Sequence, residues 1–555
     1  MTRLVECVPN FSEGRNPDVI KAITDAMEAA GAVLLDVDMG AAANRTVVTI
    51  AGTPEVVTEA AFMGIKVASQ LIDMSKHSGE HPRMGATDVC PIVPISGISM
   101  EDCAKLATDL GRRVGEELGI PVYLYEHSAT SPQRRSLADI RHGEYEALPT
   151  KQATKEWAPD FGPTAFNAKS GATVIGAREF LIAYNINLNT KERLLASRMA
   201  IRMREGGGPA RGSDGERILK ADGEVLRVPG ALKAIRAVGW VIEEYGIAQV
   251  SVNVLNSALA PLYVVYEEAK RQAELLGIAV TGSEIVGLVP KAALVEAGRY
   301  YLEKQGLSPA APEDELIHIA IRSLGLNDIK PFIASEKIVE FKLQASKKTM
   351  ADWTLQYFVD RVSSDAPAPG GGSVAALAGS LGAALSTMAA NLTIRRPELA
   401  NIKPEMRALA LKAQDLKTRL LSCVTEDSEA FDAVMAAFRL PKSTDAEIAA
   451  RQAAIEKANA LAIQVPLKVL RLCDEASILA QQAVADGYKN SLSDAASGAA
   501  MTLAGAEGAA LNVMINMPSG KLPKELQEIA DEAKQTLAQV RTRVQKSLEV
   551  AHSQF

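Results

Sequence analysis

The chain has 555 residues, 47% of them hydrophobic, and a net charge of −7. One hydrophobic core rarely serves a chain of that length, so several compact units are expected. The acidic balance carries no footprint of nucleic-acid binding, and any cations that meet an anionic ligand must be gathered locally.

The five cysteines, Cys7, Cys90, Cys103, Cys423 and Cys473, are scattered with no CxxC pair. That fits free thiols in a reducing compartment, hence a cytoplasmic location, and speaks against a zinc site or a disulfide framework. The opening residues MTRLVECVPNFSEG hold no apolar signal region. A strand is predicted over 4–8, and a helix over 17–30 with Val19, Ile20, Ile23 and Met27 at helical spacing. Strands follow over 32–37 and 46–51, then a helix over 54–74 with Thr53 as N-cap and Pro54 at its first position. A His-rich turn leads to a strand over 89–95, a helix over 100–118 and a strand over 121–125. Strand–helix–strand repeated around an adjacent strand pair predicts a ferredoxin-like sheet with helices on one side.

Residues 127–170, with Arg134, Arg135 and Arg141, read as loop. A second α/β unit is predicted from a strand over 180–188, a helix over 191–204, a Gly-rich loop over 205–216, strands over 234–242 and 249–255, and helices over 261–276 and 290–303. Its order resembles the first, which suggests an internal duplication. After a strand over 338–343 and Ser346-Lys347-Lys348, alanine dominates and strand signals vanish. Helices over 351–362, 373–394, 404–438, 445–486, 493–515 and 523–552 predict a bundle. The division expected is 1–178 and 179–334 for two ferredoxin-like α/β subdomains, a linker over 335–349, and an all-α domain over 350–555. Residues 366–394 carry no charge and are long enough to cross a bilayer. Their Ala, Gly and Ser content predicts a close-packed buried helix and no membrane span.

The densest chemistry lies in DMSKHSGEHPRMGATDVCP, residues 73–91. His77 and His81 stand there among Glu80, Arg83 and Asp88. Histidine titrates near neutrality unaided, so this turn is either an acid/base station or a surface loop with incidental histidines. Glu6 and Asn10 on the first strand, Asp38 at the end of the second and Arg45 at the start of the third could converge on His81. A carboxylate there would fix its tautomer; the same residue types also simply form turns.

In the helical half, Asp427 interrupts the apolar line Leu409, Leu416, Leu420, Val424, Phe431, Met435, Phe438, while Glu426, Glu429 and Asp432 lie off it and read as solvated. A carboxylate on a buried face needs a function or a structural ion pair. Gly370, Gly371, Gly372 and Ser373 open a helix whose backbone N–H groups can hold an anion, or serve as a flexible entry. No GK[ST] follows and no strand precedes, so this is neither a Walker loop nor a Rossmann turn. Arg439 and Lys442 follow the Asp427 helix, as ligand cations or as complements of its dipole. Asn512 and Asn516 are weaker candidates.

These residues carry a resemblance. VECVPNFSEG, LLDVD, NRT, LIDMSKHSGEHPRMGATDVCP, EWAPDFGP and VGLVP resemble the glutamate formimidoyltransferases. APGGGSVAAL, EDSEAF, RLPK and NVMIN resemble the formimidoyltetrahydrofolate cyclodeaminases. Their order and the chain length resemble the fused bifunctional family.

The resemblance implies that the first half moves the formimino group of N-formimino-L-glutamate to N5 of tetrahydrofolate. His81 would be the general acid/base, with Glu6 and Asp38 positioning or polarising it. Asn10, Arg45, Arg83 and the loop through Gly162 and Pro163 to Gly171 would line a folate crevice between the α/β subdomains. The second half would close the ring to 5,10-methenyltetrahydrofolate with loss of ammonia. Asp427 would shuttle protons, and Gly370, Gly371, Gly372, Ser373, Arg439 and Lys442 would seat the folate and its glutamate tail. The partners implied are formiminoglutamate and polyglutamated tetrahydrofolate as co-substrate, with no metal, no nucleic acid and a homo-oligomeric assembly. The alternative is a transferase alone, its bundle serving as an oligomerisation module.

Overall fold

The computed structural model describes all residues except 1–2, 42, 80, 213–215, 345–348, 519, 521 and 555. Glu80 and the Ser346-Lys347-Lys348 linker therefore lie outside the described residues. Strands β1 (Leu4–Cys7) and β2 (Asn10–Phe11) both insert between β4 (Arg45–Gly52) and β5 (Thr87–Ser96). β3 (Val33–Gly40) flanks β4 at one edge. Beyond β5, β7 (Thr173–Ala177) and β6 (Val122–Glu126) continue the sheet in parallel. Side chains alternate across a strand, so Val5, Cys7, Val48 and Ile50 face α1 (Pro17–Ala29), α2 (Pro54–Leu71) and α3 (Met100–Leu118) in one core. Thr53 occupies the N-cap of α2 without a side-chain capping bond, and the fixed φ of Pro54 starts that helix.

The stretch expected as loop contains two short helices, α4 (Leu137–Arg141) and α5 (Glu144–Lys151). Helices of one or two turns depend on tertiary contacts, here Arg141 of α4 with Asp88, and Glu144 and Glu146 of α5 with Arg83, and carry no readable period. The expected Gly-rich loop holds a small hairpin, β9 (Gly208–Pro209) with β10 (Arg227–Val228).

The second α/β half runs β8 (Ile182–Leu188), α6 (Arg193–Met203), β11 (Ile235–Ile242), β12 (Ile247–Val254), α7 (Leu262–Glu274) and β13 (Val280–Val286). Its sheet, β11-β12-β8-β13, is antiparallel throughout. The first half has the same order, β3-β4-β1/β2-β5, so in both the first strand lies between the third and the fourth. The strand expected over 338–343 is instead helical, α10 (Ala334–Lys337) and α11 (Val339–Gln344). Ile338 makes only an isolated bridge to Val289, and the chain is helical from Val339.

Two compact units result: Met1–Leu294 with Leu324–Ser346, and Val295–Ser323 with Lys347–Phe555. The second takes most of α8 (Lys291–Lys304) and all of α9 (Glu313–Ser323). It is otherwise built from α12 (Leu355–Val362), α13 (Gly371–Ile394), α14 (Lys403–Phe438), α15 (Asp445–Asp486), α16 (Leu492–Ile515) and α17 (Lys524–His552). Two helical stretches, Gly371–Ile394 and Lys489–Ile515, are long and apolar enough to cross a membrane. In the fold, α13 is buried against α14 and α16.

Small residues permit that approach. A Cβ on Gly382 would lie 2.7 Å from the Gly498 carbonyl oxygen, and one on Gly505 2.8 Å from that of Ala375. The apolar line of α14 ends near Asp427: Leu409, Leu416, Leu420 and Val424 are buried, while Phe431, Met435 and Phe438 are exposed. Gly382→Val should overpack the α13–α16 crossing and lower the stability of the helical unit by about 1–3 kcal/mol, read by denaturant unfolding. Gly206→Ala, with nothing within 4 Å of the new Cβ, should leave it unchanged.

Candidate active site

The His-rich turn is tied down on both sides of His81. Before it, His77 Nε2 lies 2.9 Å from the Asn44 carbonyl oxygen, and Asn44 Nδ2 donates to the Ser78 carbonyl at 2.9 Å. After it, the Arg83 guanidinium donates to His77 Nδ1 at 3.3 Å, to Glu144 at 3.0 Å and to Glu146 at 2.7 Å. Arg83 is thus a buried brace, committed to side chains within the turn and α5. Gly171 holds the next step. It has φ +66°, and a Cβ there would sit 2.2 Å from the Met84 carbonyl oxygen. Gly162, at φ +82°, packs as closely on Ile120, and Pro163 is exposed. Gly162 and Gly171 are joints of the scaffold rather than cavity residues.

His81 itself is half-buried, with Nδ1 2.6 Å from the Pro82 carbonyl oxygen. A carbonyl only accepts, so Nδ1 carries the proton and Nε2 keeps its lone pair. Among the described residues Nε2 has no hydrogen-bond partner. Burial, then the Arg45 and Arg141 guanidinium groups, push this imidazole below its ordinary pKa of 6.5, against the Pro82 carbonyl and Asp88. His81 is therefore held neutral with a free basic nitrogen.

A cavity of about 740 Å³ has Arg45 and Arg141 in its wall, while His81 is not itself in the lining. Five arginines line it, Arg45, Arg135, Arg141, Arg178 and Arg236, against two acids, Glu126 and Glu179. Low-dielectric walls with an excess of one charge concentrate ligands of the other, so the cavity suits an anion. Asn10 is in the wall, and its Oδ1 accepts from Arg45. Asp38 is exposed on β3 opposite Val47, and its charge reaches Arg45. Glu6 does not join His81. Its charged neighbours are Arg178 and Glu340, and burial, partly opposed by Arg178, raises its pKa to about 7. Among the described residues no three His, Cys, Asp or Glu side chains gather as a metal site.

In the helical unit the start of α13 meets α14. A Cβ on Gly372 would lie 2.1 Å from Asp427 Oδ1, so only glycine lets that carboxylate come so near. The Ser373 hydroxyl lies 3.0 Å from Asp427 Oδ2 and 3.2 Å from the Ser428 hydroxyl. Burial raises the Asp427 pKa, while the Ser373 hydroxyl and backbone N–H oppose the rise. Asn512 on α16 stands beside Gly371. Gly370–Gly372, Ser373, Asp427 and Asn512 thus form one constellation. Arg439 and Lys442 are exposed, Arg439 about 18 Å further along α14, and do not join it. Glu426, expected as solvated, pairs with Lys468 at 2.7 Å.

Residues 4–178 match the family described as Formiminotransferase domain, N-terminal subdomain, residues 183–344 the Formiminotransferase domain, and residues 354–535 Formiminotransferase-cyclodeaminase. The formimidoyltransferase-cyclodeaminase of Mus musculus is 44% identical over 521 residues, covering 93% of both chains. That of Gallus gallus is 46% identical over 525 residues, again 93% of both. The chain belongs to the formimidoyltransferase-cyclodeaminase family. The glutamate formimidoyltransferase of Streptococcus pyogenes is 41% identical over 304 residues, 55% of this chain and 94% of its own.

In this formimidoyltransferase-cyclodeaminase family member, sequence reasoning passed over Arg135, Arg141, Arg178 and Arg236 as site residues. They are spread along the chain, and only the arginine cluster at 134–141 left a compositional trace. The Glu6 shift has a measurable consequence. A carboxyl whose pKa is raised from 4.5 to about 7 on folding favours the native state below pH 4.5, and that contribution is lost as pH rises to 7. The parent protein should therefore lose roughly 3 kcal/mol more stability over this interval than Glu6→Gln in denaturant melts. Equal losses would refute a strained, buried Glu6.

Proposed function

We propose that the chain transfers the formimino group of N-formimino-L-glutamate to N5 of tetrahydrofolate, then closes 5-formiminotetrahydrofolate to 5,10-methenyltetrahydrofolate with release of ammonia. Near end-to-end similarity to bifunctional relatives supports both activities. The single observation that favours the first step is the free Nε2 of a neutral His81 under the influence of Arg45 and Arg141, two cations of the cavity wall.

In the transfer, N5 attacks the amidine carbon and must lose its proton, while the departing glutamate nitrogen must gain one. His81 Nε2 accepts the first and returns it to the second, and tetrahydrofolate and formiminoglutamate become 5-formiminotetrahydrofolate and glutamate. The arginines hold the carboxylates of both substrates, Asn10 orients Arg45, and Asp38 tempers its charge. Glu6 acts at a distance from His81, through Arg178.

In the cyclisation, N10 attacks the formimino carbon and its proton passes to the amidine nitrogen; that nitrogen takes a further proton and leaves as ammonia with the C–N electron pair, giving the methenyl cation. Asp427, its carboxyl pushed up by burial, supplies that proton, and Gly370–Gly372 and Ser373 offer N–H and O–H groups to the pterin or its tail.

Each α/β half is read as ferredoxin-like from the shared strand order, with subdomains 1–178 and 179–334, a linker over 335–349 and the cyclodeaminase domain over 350–555. Tetrahydrofolate enters as a polyglutamated co-substrate, and no step calls for a metal. A homo-oligomer is supported by apolar side chains left exposed on the helical unit, Leu355 at 81%, Ile515 at 79% and Leu511 at 69%. Five buried free thiols support a cytoplasmic setting.

A coupled assay with pure protein tests this. His81→Ala should slow glutamate release about 100-fold or more. Asp427→Asn should abolish methenyl absorbance and ammonia while glutamate release continues, and Gly372→Ala should follow it by displacing the carboxylate. If Asp427→Asn cyclises at the parent rate, the acid is misassigned. A parent that releases glutamate but never ammonia would leave a transferase with an oligomerising bundle.

A further inference from the structure

We propose that Arg141, held by Asp88, joins Arg45 to receive the α-carboxylate of the formimino donor beside His81. This rests on the transferase reading and names the part of the donor that the site selects.

Both guanidinium groups lie in the cavity wall. A guanidinium offers five N–H donors. Among the described residues Arg45 has one side-chain acceptor, Asn10 Oδ1, and Arg141 has one, Asp88 Oδ2. The Nε–H of each is buried and without a partner. Two cations thus share one close carboxylate, Asp88, with Asp38 a further influence on Arg45. The protein leaves both positive charge and N–H donors uncompensated at this spot, a deficit that a carboxylate fills with charge-assisted hydrogen bonds.

The position decides which carboxylate. Arg141 is tied through Asp88 to the turn that carries His81, since Asp88 also accepts the Met84 backbone N–H, and both arginines act electrostatically on the imidazole. The nitrogen that His81 must protonate is bonded to the donor's Cα, which carries the α-carboxylate; the γ-carboxylate lies three carbons further on. An anion site next to the proton carrier therefore takes the α-carboxylate. Arg178 is engaged elsewhere, with Glu6 and the Glu179 carbonyl oxygen at 2.9 Å.

Asp88 is the positioning residue. It is 1% exposed. Its Oδ1 accepts the Met84 backbone N–H at 2.9 Å, three residues after His81, and its Oδ2 binds Arg141. One buried carboxylate thus fixes the spacing between the imidazole and the anion site.

The test compares two donors with the full-length protein: N-formimino-L-glutamate, and N-formimino-4-aminobutyrate, which lacks only the α-carboxylate. The parent should favour the first in kcat/KM by about 100-fold or more, because losing a partner for a charged hydrogen-bonding site is costly. Arg141→Ala should lose most of that preference, through slower use of formiminoglutamate and little change with the analogue. The rate of ring closure on added 5-formiminotetrahydrofolate should stay within about twofold. Arg141→Lys should restore part of the preference, and Asp88→Asn should lose it partly with Arg141 intact. A preference unchanged in Arg141→Ala, equal slowing of both donors, or a parent that does not discriminate would each overturn the proposal. A parent inactive with both donors would overturn the transferase reading itself.

Discussion

A carboxylate sealed from water must have its charge met within the protein. Asp88 meets that demand with a backbone N–H on one oxygen and a guanidinium on the other. The rest of the transferase site depends on this arrangement. It sets the conformation of the chain just after His81 and aims Arg141 into the cavity. It also leaves more cationic charge near the imidazole than the protein neutralises. The surrounding bonds, from Asn44 and Arg83 on one side and the Gly171 contact on the other, make the turn rigid enough for that charge to act on one ring orientation.

The helical unit reaches a comparable end by different means. Among the described residues no cation acts on Asp427, and burial raises its pKa. The burial exists because Gly372 has no side chain at the point where the α14 carboxylate meets the start of α13. The same small-residue rule governs the α13–α16 crossing, where glycines bring backbones into contact. The raised pKa of this carboxyl and the packing of the unit are thus consequences of one compositional choice, a helix of Ala, Gly and Ser in place of Leu.

The two candidate sites shift their titratable groups in opposite senses. Near the arginines the imidazole is pushed towards its neutral form; in the bundle burial pushes the Asp427 carboxyl up. Those are the directions that the proposed transfer and cyclisation call for, since one begins by taking a proton from N5 and the other ends by giving one to the leaving nitrogen.

Much was legible in the residues themselves. Amphipathic spacing located α1, α2 and α3, and the shift to alanine marked the bundle. The His turn and Asp427 stood out as chemistry set in an apolar context. Local pattern failed where long-range contact decides. The expected strand over 338–343 is reduced to one bridge, Ile338 with Val289, followed by α11. Helix α5 is held by Arg83 and α4 by the Arg141–Asp88 pair, and the apolar line of α14 continues past Asp427 onto an exposed surface. The sequence by itself determined which side chains can move protons, because that is a property of residue type. Only the tertiary structure decided that Glu6 faces Arg178 while Arg141 and Asp88 join His81. Partners brought together from distant strands and helices leave no periodic trace along the chain, and their electrostatic effect depends on distance and burial.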